Sequence, residues 1–307
     1  MNYTSSYCAS DMKKAYLQMH LAILLWGFTA IFGKLIQLDE GLLVWYRMLI
    51  SSLSMLVYLL FTGKLKFNSY KELAGVAGIG AIITLHWITF YGAIKASNVS
   101  VAIGCFSSVA LFTALLDPLL EKKLPRKNEI VTALFVIAGI YLIFRVQELY
   151  LKGIALSLIS ALLAALFTIL NKRISLKYEP ALLTFLELGT GFLILTLLLP
   201  AWFMVNDSAF ALPSQSDFIY LLLLSILCTT FAFTLSLFAL KKLDSFTMSL
   251  SVNLEPLYSI ILAIIIFQEN ESLNGWFYAG SLLIFSTVMI HGFIAYRNRK
   301  RLENLNE

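Results

Sequence analysis

Charged residues fall along this chain in clusters, and between the clusters lie ten long apolar stretches: 15–33, 41–62, 73–94, 96–116, 130–144, 153–171, 181–203, 218–240, 245–267 and 272–296. A helix needs roughly 20 apolar residues to cross a bilayer, so each stretch is a candidate span. The fifth is short and borrows Asn128 and Glu129 at its entrance. Breakers and charges fill the connections, with Pro118 and Pro125 ahead of the fifth stretch, Pro180 ahead of the seventh and Pro213 ahead of the eighth. The pattern predicts an all-α polytopic membrane protein of ten transmembrane helices.

Composition sharpens that picture. Of the 307 residues, 59% are hydrophobic and only 13% charged, against roughly a quarter charged in soluble proteins. Ten spans consume about 200 residues at about 20 each, which leaves connections and tails but no soluble domain. Soluble enzymes, DNA-binding proteins and secreted disulfide scaffolds are excluded, since each needs a solvated surface. Cys8, Cys105 and Cys228 are too widely spaced for a metal site or a disulfide framework, and neither metal nor other cofactor is expected. No cleavage signal follows the first apolar stretch, which is expected to stay as the first helix.

Basic residues set the orientation. With the N-terminus on the cytoplasmic side, that side holds 18 Lys and Arg, the opposite side holds 4 (Lys34, Lys95, Arg145 and Lys152), and Arg47 lies within a span. Cytoplasmic connections carry the Lys and Arg excess, so both termini are expected in the cytoplasm, in a multi-pass protein of the cytoplasmic (inner) membrane. The net charge of +5 is then a topology signal and requires no nucleic acid or acidic partner.

Five spans precede the connection at 145–152 and five follow it, so related halves, 1–148 and 149–307, would be inverted five-helix repeats. A slide of 148 places Glu121 on Glu269 and Leu134 on Leu282; a slide of 138 places Lys34 on Lys172 and residues 22–34 on 160–172.

The run Leu24-Leu25-Trp26-Gly27-Phe28-Thr29-Ala30-Ile31-Phe32-Gly33-Lys34, followed by Arg47, resembles the opening of the EamA-type branch of the drug/metabolite transporter superfamily. Phe90-Tyr91-Gly92-Ala93-Ile94-Lys95-Ala96-Ser97 is similar to that family's junction of third and fourth helices, and Glu255-Pro256 followed by Glu269 to its ninth-helix pattern. The resemblance covers essentially the whole chain. It implies a ten-helix secondary transporter or exporter of amino acids and other small metabolites, with its site in a central cavity between the halves. Two departures stand out. Ser107-Ser108 occupies the place matched to Glu255-Pro256 in the first half, so the proline break expected in the fourth helix is missing, and Thr287 replaces a small residue that Gly139 retains in the fifth.

Ionisable side chains within spans cost at least about 2.5–3.5 kcal/mol on insertion scales, so each is expected to face the bundle interior with a partner or a role. Arg47 and Glu187 lie equally deep in the second and seventh spans and would be symmetry-related with opposite charge; the alternative for both is to snorkel to the nearby interface or pair with a loop charge. Glu255 lies near the midplane, beyond the reach of snorkelling. Pro256 removes a backbone donor beside it, which makes a broken helix, and the carboxyl could take up a proton on one side and release it on the other. The alternative for Glu255 is a structural joint. His86, Trp87, Phe90, Tyr91 and Trp26 form a candidate aromatic lining for a small organic solute, with packing as the alternative role. Ser107, Ser108 and Asn253 are the small polar groups nearest the expected centre, where they could orient a ligand. Lys34 and Asn171 close spans at opposite interfaces, where they could be ordinary interfacial residues, and join Arg47, Glu187, Glu255 and Pro256 as candidates for coupling or gating.

The function expected is a non-enzymatic secondary transporter, an exporter of small organic metabolites such as amino acids, with protons as candidate coupling ion. Its two halves would rock around a cavity lined by helices one, three, four, six, eight and nine. A channel or lipid flippase on the same fold, and a lipid-modifying membrane enzyme, are the alternatives; the oligomeric state is open between monomer and homodimer.

Overall fold

The computed structural model describes residues 3–65, 70–124, 127–144 and 150–305; Lys66, Pro125, Arg126, Arg145 and the boundary expected at 148 lie outside the described residues. The described residues form fourteen α-helices: α1 Tyr3–Trp26, α2 Thr29–Leu35, α3 Glu40–Thr62, α4 Tyr70–Ala96, α5 Val99–Phe106, α6 Val109–Leu120, α7 Lys127–Phe144, α8 Leu151–Ile174, α9 Pro180–Asn206, α10 Gln215–Ser225, α11 Ala232–Leu240, α12 Ser245–Val252, α13 Glu255–Phe267 and α14 Gly275–Leu305. No strand occurs among the described residues. Among the described residues, eight segments are long and apolar enough to cross a membrane: Asp11–Leu35, Glu40–Thr62, Ala74–Ala96, Val99–Leu120, Leu151–Ile174, Pro180–Asn206, Gln215–Leu240 and Ser245–Phe267. They coincide with eight of the ten apolar stretches. The other two stretches are helical as α7 and α14, which pack against each other. Side chains such as Leu197 and Ile265, 81% and 71% exposed, give the bundle the apolar exterior that hydrocarbon demands.

Polar contacts define the two ends. At one, Lys34 meets Glu269, the Gln37 amide bonds Asp217, and Trp202 bonds Asp39. At the other, Lys64 pairs with Glu179, Lys172 bonds the Leu240 carbonyl, and Lys242 pairs with Asp11. Helix starts are capped by side chains: Asp39, Asn98, Glu179, Ser214 and Asp244 each accept a backbone N–H from the first turn.

Four spans are interrupted midway, and each interruption has a local cause. Between α1 and α2, Gly27 presses against α13 so closely that a Cβ there would lie 2.8 Å from Tyr258 Cβ. The carbonyls freed at Gly27 and Trp26 accept from Ser259 Oγ at 2.8 Å and Thr29 Oγ1 at 2.7 Å. Between α12 and α13, Pro256 supplies no N–H, and the Asn253 and Leu254 amides tighten to the carbonyls three residues back. In the eighth span a π-helical turn, Ile226–Phe231, separates α10 from α11, and Ser51 of α3 donates to the Ser225 carbonyl at 3.0 Å.

The fourth span breaks at Ser107-Ser108 without a proline, the Ser108 amide reaching only to the Cys105 carbonyl. The proline is absent, as expected, but the span is interrupted there all the same. The caps Asn98 and Asp244, the breaks Ser107-Ser108 and Asn253-Leu254, and the left-handed ends Lys122 (φ 56) and Gln268 (φ 54) all repeat at a separation of 146 residues. In that register Glu255-Pro256 correspond to Val109-Ala110, two positions away from the match read off the sequence. Glu121 and Glu269 are not counterparts either: Glu121 is exposed and bonds Lys123, while Glu269 is buried.

Close crossings rest on glycine. A Cβ on Gly80 of α4 would lie 2.5 Å from the Glu187 carbonyl oxygen of α9, whereas one on Gly78 would meet nothing within 4 Å. Gly80→Ala is expected to destabilise by about 1–3 kcal/mol through overpacking, and Gly78→Ala to be neutral or to stabilise slightly. Thermal melts of the two detergent-solubilised variants, monitored by size-exclusion fluorescence, check the contrast.

Candidate functional site

A central cavity of about 80 Å³ lies where the interrupted spans converge, several times the roughly 10–15 Å³ that holds one water. It is lined from the first, third, fourth, sixth, eighth and ninth spans, and Arg47 of α3 adds the second. It extends from the Trp26 and Arg47 level toward Asn171, Leu240 and Met248, near the end where Lys172 bonds Leu240.

Arg47 is 2% exposed, and a guanidinium in hydrocarbon is tolerable only with its donors and its face occupied. Nε donates to Thr229 Oγ1 at 2.7 Å and Nη1 to Tyr91 Oη at 2.6 Å, while the planar face stacks 3.7 Å from the Trp87 ring centroid. Thr229 sits in the π-helical turn and passes its own proton to the Leu224 carbonyl five residues back. Arg47 thus joins α3, α4 and the eighth span in one polar cluster. Glu255 faces the same cavity at 5% exposure. It makes no ion pair with Arg47 and accepts no hydrogen bond from another described side chain.

His86, Trp87, Phe90 and Trp26 line this cavity. The His86 ring stacks among Phe106, Phe167 and Phe90, with centroids 5.4–6.0 Å away. Its Nδ1 lies 3.0 Å from the Ser160 carbonyl oxygen, and Ser160 Oγ lies 3.2 Å from the His86 carbonyl oxygen. Nδ1–H donating to Ser160 and the hydroxyl donating back satisfies both, an assignment made from the hydrogen-bond pattern. Tyr91 is fully buried and reaches the site through Arg47. Ser107, Asn253 and Pro256 lie elsewhere, on a second cavity, because the break turns them toward α14; Ser108 is buried outside both cavities.

Glu187 is wholly buried on α9, at the register of Arg47 when the caps Asp39 and Glu179 are superposed. Its one described partner is Asn171 Nδ2 at 3.4 Å; Glu187 Oε1 and Asn171 Oδ1 are both buried and unpartnered. Asn171 also lines the central cavity and so places Glu187 one side chain behind its wall.

At the opposite end, Lys34 is no ordinary interfacial lysine. It pairs with Glu269 at 2.7 Å and lies 4.3 Å from the Phe267 ring centroid. Glu269 also accepts from the Val99 amide (3.1 Å), the Ser100 amide (2.9 Å) and Ser100 Oγ (2.7 Å). With Asn98 accepting from Val101, the first turn of α5 has its orphan donors answered. One carboxylate therefore ties the end of α2, the start of α5 and the segment after α13. The sequence reading did not include Glu269, Ser100 or Thr229 in the site. Glu269 was detectable, since alternating spans bring it to the same end as Lys34; the π-helical turn that presents Thr229 left no sequence signal.

The sequence pattern of the EamA-like transporter family matches this chain twice, over residues 13–145 and 151–292. An "Uncharacterized transporter" of Archaeoglobus fulgidus is 29% identical over 268 residues, 83% of this chain and 90% of that protein. "Uncharacterized transporter YxxF" of Bacillus subtilis is 23% identical over 270 residues, 85% of each. A protein known from a crystal structure superposes with a TM-score of 0.67 at 19% identity, covering 93% of this chain and 98% of that one. It shares the fold.

Glu269 lies beyond its span. Burial alone would raise its carboxyl, but hydrogen bonds from Lys34 and from Ser100, and the Lys34 charge, hold it below the ordinary carboxylate value of 4.5. A carboxyl depressed on folding stabilises fully above its unfolded value and loses that contribution as pH falls through the folded one. Melts are therefore expected to hold steady from pH 7 to about 5 and to fall below that. Glu269→Gln is expected to cost about 1.5–3 kcal/mol at pH 7, as charge-assisted bonds are lost, and to flatten the acid limb.

Proposed function

The chain belongs to the EamA-like transporter family, and from that premise we propose that it is a ten-span secondary transporter that exports small amino-acid-like zwitterions. The observation that carries the reading is the opposite-charge pair, Arg47 and Glu255, facing one aromatic cavity without pairing with each other. A solute bearing a carboxylate and an ammonium complements both, and Trp26, Trp87 and Phe90 supply faces for its cation and its apolar part. Opposed charges discriminate against singly charged ions, because either would leave one buried charge unmatched.

In this reading α7 and α14 complete ten crossings, both termini are cytoplasmic, and residues 1–148 and 149–307 are inverted repeats. The double family match and the shared register of the fourth and ninth spans support the repeats; the 18-to-4 distribution of basic residues supports the orientation. The Lys34–Glu269 end is then extracellular and closed, and the cavity extends toward the cytoplasm. Transport proceeds as the extracellular closure yields while the half-helices α5, α6, α12 and α13 shift about their breaks. Export is assigned from the resemblance of the opening segment.

Glu255 and Glu187 are the proton carriers of this mechanism. Glu255 exchanges its proton in the cavity in competition with the substrate ammonium. Glu187, behind Asn171, does so on the cytoplasmic side. An unpartnered carboxyl oxygen that deep in the bundle supports a group that changes protonation state during the cycle.

Counterflow of radiolabelled amino acids in proteoliposomes tests the proposal. Saturable exchange is expected, lowered at least tenfold by Arg47→Met and by Glu255→Gln, a tenfold loss being about 1.4 kcal/mol. Glu255→Gln is also expected to flatten the pH dependence. Intact transport with intact pH dependence in Glu255→Gln removes the proton role, and an ohmic current in place of counterflow overturns the carrier.

A further inference from the structure

The breaks of the fourth and ninth spans have two sides. Val252 and Glu255 face the central cavity, whereas Asn253 and Pro256 face a second cavity of about 210 Å³ between α5, α13 and α14. Asn253 is 3% exposed, yet neither its Nδ2 nor its Oδ1 has a hydrogen-bond partner. Ser281 Oγ, on the α14 wall of the same cavity, is also buried and unpartnered. Ser107 lines the cavity from the other break, its hydroxyl making only a long 3.4 Å bond to the Ile103 carbonyl. Buried polar groups in native proteins are almost always satisfied, and in hydrocarbon no bulk water stands in. An amide with both halves open, beside an open hydroxyl, is a prepared hydrogen-bonding site.

The chemistry of the walls selects its ligand. No charged side chain lines the cavity among the described residues, so a charged head group would be left unmatched. A neutral hydroxyl donates one hydrogen bond and accepts others, which matches Asn253 Oδ1 and Nδ2 together, with Ser281 as a further partner. The remaining lining is apolar. The way in lies between α13 and α14, where Leu257 (41% exposed), Tyr278 (43%) and Leu282 (64%) stand on the lipid-facing exterior. We propose that this lateral cavity binds a neutral hydroxyl-bearing amphiphile from the bilayer, its hydroxyl on Asn253 and Ser281 and its chain lying out between α13 and α14. The site is separate from the transported solute's and stands whether or not that solute is a zwitterion.

Photolabelling of the full chain in liposomes with a diazirine-bearing octanol, followed by digestion and mass spectrometry, tests this. Adducts are expected within 278–285 or 257–261, reduced at least fivefold by excess n-octanol and by Asn253→Leu, which keeps the size of the side chain. Ser281→Ala is the second variant, with a smaller reduction expected. A matched diazirine-bearing alkane without the hydroxyl is expected to label these segments at least fivefold less. Competition with diacylglycerol identifies the source: displacement by it supports a membrane lipid, and displacement by octanol alone supports a free alcohol. Absence of adducts in these segments, equal labelling by the alkane probe, or labelling by the alcohol probe that neither excess octanol nor either variant reduces overturns the proposal.

Discussion

Within hydrocarbon every backbone donor and acceptor has to find its partner inside the protein, and the arrangement of this molecule follows from how that constraint is relaxed at a few places. Four spans leave regular α-helical hydrogen bonding midway, and each borders the central cavity. The freed groups are answered locally: Ser259 and Thr29 for the first span, tightened turns for the fourth and ninth, and α3 hydroxyls for the π-helical turn. Small and hydroxyl-bearing residues at these levels are therefore the means by which helices can be interrupted at depth.

The two intramembrane charges at corresponding depth are treated in opposite ways. Arg47 has two short hydrogen bonds and an aromatic face, which hold it in position. Glu187 has one long bond and an open oxygen. A fixed cation in one half and an incompletely held carboxyl in the other make the halves unequal even where their caps coincide. Glu255 adds to this asymmetry, because its counterpart in the 146-residue register is Val109.

The Glu269 cluster shows how a single carboxylate substitutes for several separate contacts. It supplies acceptors to the α5 N-terminus, where backbone N–H groups and the helix dipole favour a negative charge, and pairs with Lys34. Three elements are joined at one buried carboxylate at this end of the bundle.

The sequence by itself determined the class of the protein and the placement of its helices. Apolar stretches near the length of a bilayer leave a helix as the only conformation that satisfies its own backbone, and all ten stretches are helical. Depth along a span was also readable, because rise per residue is constant, which is why Arg47, Glu187 and Glu255 stood out as ionisable groups within spans; that Arg47 and Glu187 are buried and do not reach an interface was decided by packing. Direction around the helix axis was not readable in spans that are apolar on every side. Asn253 and Ser107 were placed with Glu255 on depth alone, and only the turn introduced by the breaks showed that they face the other cavity. The proline-free break at Ser107-Ser108, the π-helical turn under Thr229 and the partner of Lys34 were decided by tertiary packing. Each depends on which distant side chain arrives to take up a freed backbone group or a buried charge.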